Sequence, residues 1–233
     1  MKAHYALLTA IALLLSGLLA IPAAAYIFPV LNGDYEDGQN HWTAHSYGPG
    51  THQTAVILQG IPGSNIDILN QGAGEVINWT SAFQTLDQDV TGAPCLYISS
   101  DVRVISQTNI SPLHEPCDFE FPAVLRLHYI DDIGHPRMYM HGFYLQATLG
   151  HVTDSTKVTA SEWYHFTSPD LMTYLPFTPE HLTGVEVLGV GWDYHSQFDN
   201  VEIRICQIPE ASSLIGLAAL LPGLLITRFR RRL

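Results

Sequence analysis

Two short runs, Trp163-Tyr164-His165 and Trp192-Asp193-Tyr194-His195, carry the residue types that can hold a sugar ring. Their flat faces can stack on it, and polar neighbours can bond its hydroxyls. Trp192, Tyr194 and His195 sit in a polar, glycine-containing stretch beside Gln197, which favours partial exposure. They are the expected ligand-contacting residues. A tryptophan in a strand-rich chain is more often core, and Trp42 and Trp163 are assigned there.

Other chemistry finds less support. His41, His45 and His52 form one polar group, and His128, Asp131, Asp132, His135 and His141 another. Imidazole and carboxylate are metal ligands. These spacings match no known site, however, and strand alternation places neighbours on opposite faces, so both groups read as polar surface. The chain has no nucleophile elbow, zinc-protease helix or phosphate loop. Paired carboxylates could cleave a glycosidic bond, but 22 acidic residues supply many accidental pairs. The reading is non-enzymatic.

Charge narrows the partners. All 22 acidic residues lie in 34–210, where only Arg103, Arg126, Arg137, Lys157 and Arg204 oppose them. That leaves −17 in this region against −12 for the whole chain. Such a surface repels nucleic acid and anionic lipid. The three cysteines allow one disulfide, and Cys95 with Cys117, closing a short loop, is the expected pair, with Cys206 left over.

The elements that must position these residues are strands. Runs at 54–59, 79–86, 95–106, 123–130, 137–148, 163–167, 185–190 and 201–206 are rich in Val, Ile, Leu, Tyr and Phe. Turn residues separate them, as in Gly48-Pro49-Gly50, Pro62-Gly63-Ser64-Asn65 and Asp131-Asp132-Ile133-Gly134. Between the two ends no amphipathic helix longer than a turn or two is expected. The pattern predicts an all-β fold, a sandwich or barrel.

Both ends are apolar. Lys2, an apolar stretch at 6–20 and Ala23-Ala24-Ala25 predict a signal peptide over 1–25, cut after Ala25. At the other end, Pro209-Glu210-Ala211 precedes an apolar run to Thr227 and the basic residues Arg228, Arg230, Arg231 and Arg232. As a helix, 212–227 measures about 24 Å, slightly less than a hydrocarbon core. The terminal arginines hold the C-terminus in the cytoplasm. This tail, 209–233, resembles the PEP-CTERM sorting signal, with Ala211 in place of the pattern's second proline. The resemblance implies an exosortase as processing partner, a transient transmembrane anchor, and release or attachment at the cell surface or in the extracellular matrix. The expected domain is then 26–208.

A second resemblance spans the ends of that domain. Asn32-Gly33-Asp34-Tyr35-Glu36 followed by Trp42, and Phe198-Asp199-Asn200-Val201-Glu202-Ile203, look like the two ends of carbohydrate-binding jelly-roll modules of the galactose-binding-like type. It implies a jelly-roll β-sandwich whose first loop meets its last strand. It also implies a structural calcium ion there, with Glu36 and Asp199 as leading ligands and Asp34 as a third. The expected function is association with extracellular polysaccharide. The alternatives are a structural or adhesive matrix protein without a glycan site, or a polysaccharide hydrolase.

Overall fold

Leu96, Ile98, Val102 and Val104 are buried while Tyr97, Ser99, Asp101 and Arg103, between them, are not. That period of two marks a strand with one face on a core and one outside. The computed structural model describes residues 25–48, 52–60, 63–72, 78–108, 121–146 and 154–207. The described residues fall almost entirely in one compact unit, Ile27–Cys206. All of the predicted signal peptide except Ala25, the sorting residues Pro209, Glu210, Arg228, Arg230, Arg231 and Arg232, and Cys117 lie outside the described residues.

In chain order the described strands are β1 (Ala25–Ile27), β2 (Thr43–Tyr47), β3 (His52–Gly60), β4 (Gly63–Gln71), β5 (Asn78–Asp89) and β6 (Leu96–Gln107). They continue with β7 (Ala123–Asp131), β8 (Pro136–Tyr144), β9 (Ser155–Lys157), β10 (Tyr164–Thr167), β11 (Pro179–Gly191) and β12 (Tyr194–Gln207). One helical turn, α1 (Leu171–Tyr174), separates β10 from β11. One sheet is ordered β10-β6-β12-β4-β3 and the other β2-β5-β11-β7-β8-β9. These pairings are antiparallel except β8 with β9. The architecture is the expected all-β sandwich.

The core lies between the sheets. Ile66, Ile68, Ile98, Val102, Phe198 and Ile203 come from one; Leu125, Leu127, Phe143, Val185 and Val187 come from the other. Tyr194 crosses the gap: its ring lies on Gly189, where a Cβ would overlap it, and its hydroxyl donates to Gly189 O at 2.7 Å.

The first loop is tied down by its own sequence motif. The Asn32 side-chain amide donates to Gly38 O at 2.8 Å and accepts from Asp37 N at 2.9 Å. Tyr35 and Trp42 are buried, with ring centroids 5.2 Å apart. Val201 N donates to Gly33 O at 2.9 Å, so the first loop and the last strand do meet. Gly33 is required there, because a Cβ would overlap Val201 O. Gln84, buried on β5, binds both backbone groups of Leu31.

Each predicted run overlaps a strand, and β1, β2, β4 and β9 are additional. The segment Gly63-Ser64-Asn65, expected in a turn, opens β4 instead. Pairing with Gly60, Gln59 and Leu58 of β3 outweighs the turn preference of these residues.

Candidate functional site: the outer face of the β10-β6-β12-β4 sheet

Because Ile66, Val102 and Phe198 point inward, their neighbours on β4, β6 and β12 point outward. Register sets Arg103 opposite Gln197, and Gln197 opposite Asp67. The three form one hydrogen-bonded rung across the sheet. Arg103 Nε donates to Gln197 Oε1 at 2.8 Å, and its Nη2 donates to the same oxygen. Gln197 Nε2 donates to Asp67 Oδ1 at 2.7 Å, and His195 Nε2 lies 2.7 Å from the same oxygen. Asp67 is only 7% exposed, and these two partners compensate the burial of its carboxylate. The donor to Asp67 must be the amide nitrogen of Gln197, which leaves the amide oxygen for Arg103.

The rung ends on an aromatic ring. Arg103 Cζ lies 4.7 Å from the centroid of Trp163, just before β10. Trp163 stays 43% exposed, so the expectation that it is core is corrected. Trp163 directly precedes the edge strand, two residues from the exposed His165, whereas Phe166 takes the buried position. Trp42 is core, as expected.

Beside the rung lies an acidic group. His165 Nδ1 is 2.7 Å from Asp101 Oδ1, and Asn200 Nδ2 donates to Asp101 Oδ2 at 2.8 Å. Asn200 N donates to Asp199 Oδ1 at 2.7 Å. Burial, only partly offset by the Asn200 N–H, raises the Asp199 carboxyl above its ordinary range, and the charges of Asp101, Asp34 and Glu36 raise it further.

The sequence-predicted residues divide. Of the ligand set, His195 is on the outer face, whereas Tyr194 is 2% exposed. Tyr194 is therefore corrected from ligand contact to core, for the one-residue step along β12 turns it inward. Trp192 is half-buried in the turn between β11 and β12, and its carbonyl accepts from the Asn70 amide. Among the described residues no three His, Cys, Asp or Glu side chains converge as a metal site. Glu36 Oε1 instead accepts from Ser64 N at 2.9 Å, and Asp34 Oδ1 from Glu36 N at 3.4 Å. The three expected calcium ligands share a neighbourhood but do not form the expected cage.

The disulfide is also corrected. Cys95 is bonded to Cys206, with Cα atoms 5.1 Å apart. Leu96 and Ile205 are register partners on β6 and β12, so the adjoining cysteines face each other across the ladder. Asp101 and Arg103 carried no sequence signal, and Gln197 figured only as a polar neighbour of the expected ligand set; only the register of the strands brings them together.

No protein-family profile matches the chain, and no curated protein matches it. Distant likenesses occur among solved structures. The enzymatically active domain of tailspike protein 4 from bacteriophage CBA120 superimposes with a TM-score of 0.47 at 11% identity, over 77% of this chain and 21% of that one. The chain thus spans about a fifth of that protein's length. A family 11 carbohydrate-binding module of a Clostridium thermocellum cellulosomal cellulase gives 0.45 at 13% identity, covering 81% of this chain and 98% of that one. The CBM22-1 xylan-binding domain of a Paenibacillus barcinonensis protein gives 0.44 at 10%, covering 80% and 99%.

Proposed function

We propose that the sandwich is a non-catalytic glycan-binding domain, and that the outer face of the β10-β6-β12-β4 sheet is its binding surface. One observation carries the reading: an exposed tryptophan, Trp163, is backed by Arg103, with His195 at the far end of a rung whose buried members, Gln197 and Asp67, fix both in place. An apolar ring face beside the fixed polar side chains of Arg103 and His195 suits a pyranose, whose carbon–hydrogen face is apolar and whose rim is hydroxylated. The network holds these groups in place before any ligand arrives, which lowers the ordering cost of binding.

The expected export route belongs to the same proposal. A signal peptide over 1–25 and a PEP-CTERM-like tail over 209–233, processed by an exosortase, would deliver the jelly-roll domain 26–208 to extracellular polysaccharide. The calcium ion expected at Asp34, Glu36 and Asp199 forms no part of this reading, because those carboxylates are held by backbone N–H groups of the loop and strands.

A glycan array probed with the full-length protein in detergent tests the reading. Binding of at least one polysaccharide is expected, with Trp163→Ala abolishing it. No binding to any glycan would favour a purely structural matrix protein, and release of reducing sugar would favour a hydrolase.

A further inference from the structure

Tyr97 and Arg204 repeat, further along the same sheet face, the pairing of Trp163 with Arg103. Arg204 Cζ lies 4.8 Å from the Tyr97 ring centroid, and the two residues are register partners on β6 and β12. Tyr97, Ser99, Asp101 and Arg103 are alternate residues of β6 and share its outer face. Arg103 lies six positions along the strand from Tyr97, about 20 Å of extended chain. A strip therefore runs lengthwise along β6 with an arginine-backed aromatic ring at each end.

The middle of the strip is polar. Asp101 and Ser99 on β6 pair in register with Asp199 and Glu202 on β12, and with His165 and Thr167 on β10. A register shift between Asp199 and Glu202 accommodates Asn200, whose positive φ of 50° accompanies the hydrogen bond from its side chain to Asp101. The three carboxylates of this stretch accept hydrogen bonds and repel anions. The Cys95–Cys206 disulfide, two residues beyond Tyr97 and Arg204 on each strand, locks the pairing of β6 with β12 at that end.

We infer that the glycan lies along β6, parallel to the strands, and that Tyr97 with Arg204 forms a second sugar-contacting platform about 20 Å from the first. The ligand class is an uncharged polysaccharide long enough to reach both rings. The inference rests on the glycan-binding reading above. It opposes the other route across this face, over the Arg103-Gln197-Asp67 rung, which would leave Tyr97 untouched.

The test is calorimetric titration of the full-length protein in detergent with cello-, xylo- and mixed-linkage gluco-oligosaccharides of graded length, beside a uronic-acid series. Affinity is expected to rise with length among the neutral sugars until both rings are spanned. Tyr97→Ala is expected to lower affinity for the longest ligands about tenfold and leave the shortest unchanged. Tyr97→Phe, which keeps the ring, is expected to bind as the parent does, and a Phe variant as weak as the Ala variant would overturn the platform. So would a Tyr97→Ala variant with an unchanged length dependence while Trp163→Ala abolishes binding; the glycan-binding reading would survive that result. Preferential binding of the uronic-acid series would overturn the ligand class. Failure of every oligosaccharide to bind would overturn both readings.

Discussion

Gln84 closes on Leu31 from both sides: Oε1 accepts Leu31 N at 2.8 Å and Nε2 donates to Leu31 O at 2.7 Å. A side chain on β5 thereby does for the incoming chain what a neighbouring strand would do. Leu31 directly precedes Asn32 and Gly33, so this clamp sets where the first loop begins. Gln84→Ala is expected to destabilise the domain by about 1–3 kcal/mol in urea titration, because two partly buried backbone groups lose their partner. Hydrogen exchange should quicken at the Leu31 amide while the β11 amides stay protected. An unchanged unfolding midpoint would show that the clamp contributes nothing.

The disulfide joins residues 111 apart in sequence, so it restricts the unfolded chain strongly. Cys206→Ser is expected to cost about 2–5 kcal/mol. A non-reduced peptide map should recover Cys95 with Cys206; recovery of Cys95 with Cys117 would contradict the structure.

Asp199 sets a pH dependence. Its folded-state carboxyl is raised, by burial first and by the charges of Asp101, Asp34 and Glu36 after the opposing Asn200 N–H. The folded form therefore holds its proton to higher pH than the unfolded chain. This contribution is fully present below the unfolded value of about 3.9 and is lost as pH rises through the raised folded value. Asp199→Asn is expected to be more stable than the parent at pH 7 and to lose that advantage below about pH 4. A parent that is equally or more stable at pH 7 would remove like-charge repulsion from the account of this site.

His141 acts in the opposite direction. Burial holds its pKa down at about 4 despite the Asp154 charge, and its ring stacks on Phe166 with centroids 4.1 Å apart. The unfolded chain takes up the proton near pH 6.5 and the folded one does not until about 4, so stability falls as pH drops across that window. Urea midpoints at pH 7 and pH 5 should differ in the parent and differ less in His141→Phe. Titration of the His141 ring near 6.5 in NMR would refute the assignment.

The rung is testable without a known ligand. Asp67→Ala leaves the Gln197 amide and the His195 ring without their acceptor and is expected to cost about 1–3 kcal/mol. The freed Gln197 amide no longer fixes Arg103, so Trp163 fluorescence should become more accessible to iodide quenching. Identical quenching in both proteins would mean that Arg103 holds the ring unaided.

Much of the architecture was legible from local pattern. The runs at 79–86, 95–106 and 123–130 alternate or are continuously apolar because each buries one face or lies central in a sheet, and burial acts on every such residue directly. The Asn32-to-Trp42 motif was legible for a related reason: its residues bond one another within a short loop. β4 was not legible, since it owes its conformation to partners on both sides. Trp163 and Tyr194 were assigned to each other's environments. Composition specifies that an aromatic is present, while strand phase decides which face it takes, and one residue of phase exchanges core for surface.

Sequence alone determined the strand content and the acidity of the central region. These follow from local propensity and from charge, which is additive; the contact of the first loop with the last strand was implied only by the resemblance, and the structure shows it in the bond from Val201 N to Gly33 O. Only the tertiary structure decided that Cys95 bonds Cys206, and that Arg103, Gln197 and Asp67 form one rung. Those relations depend on which strands are neighbours and in what register. Register is set by the packing of the whole sandwich, and no single segment contains it.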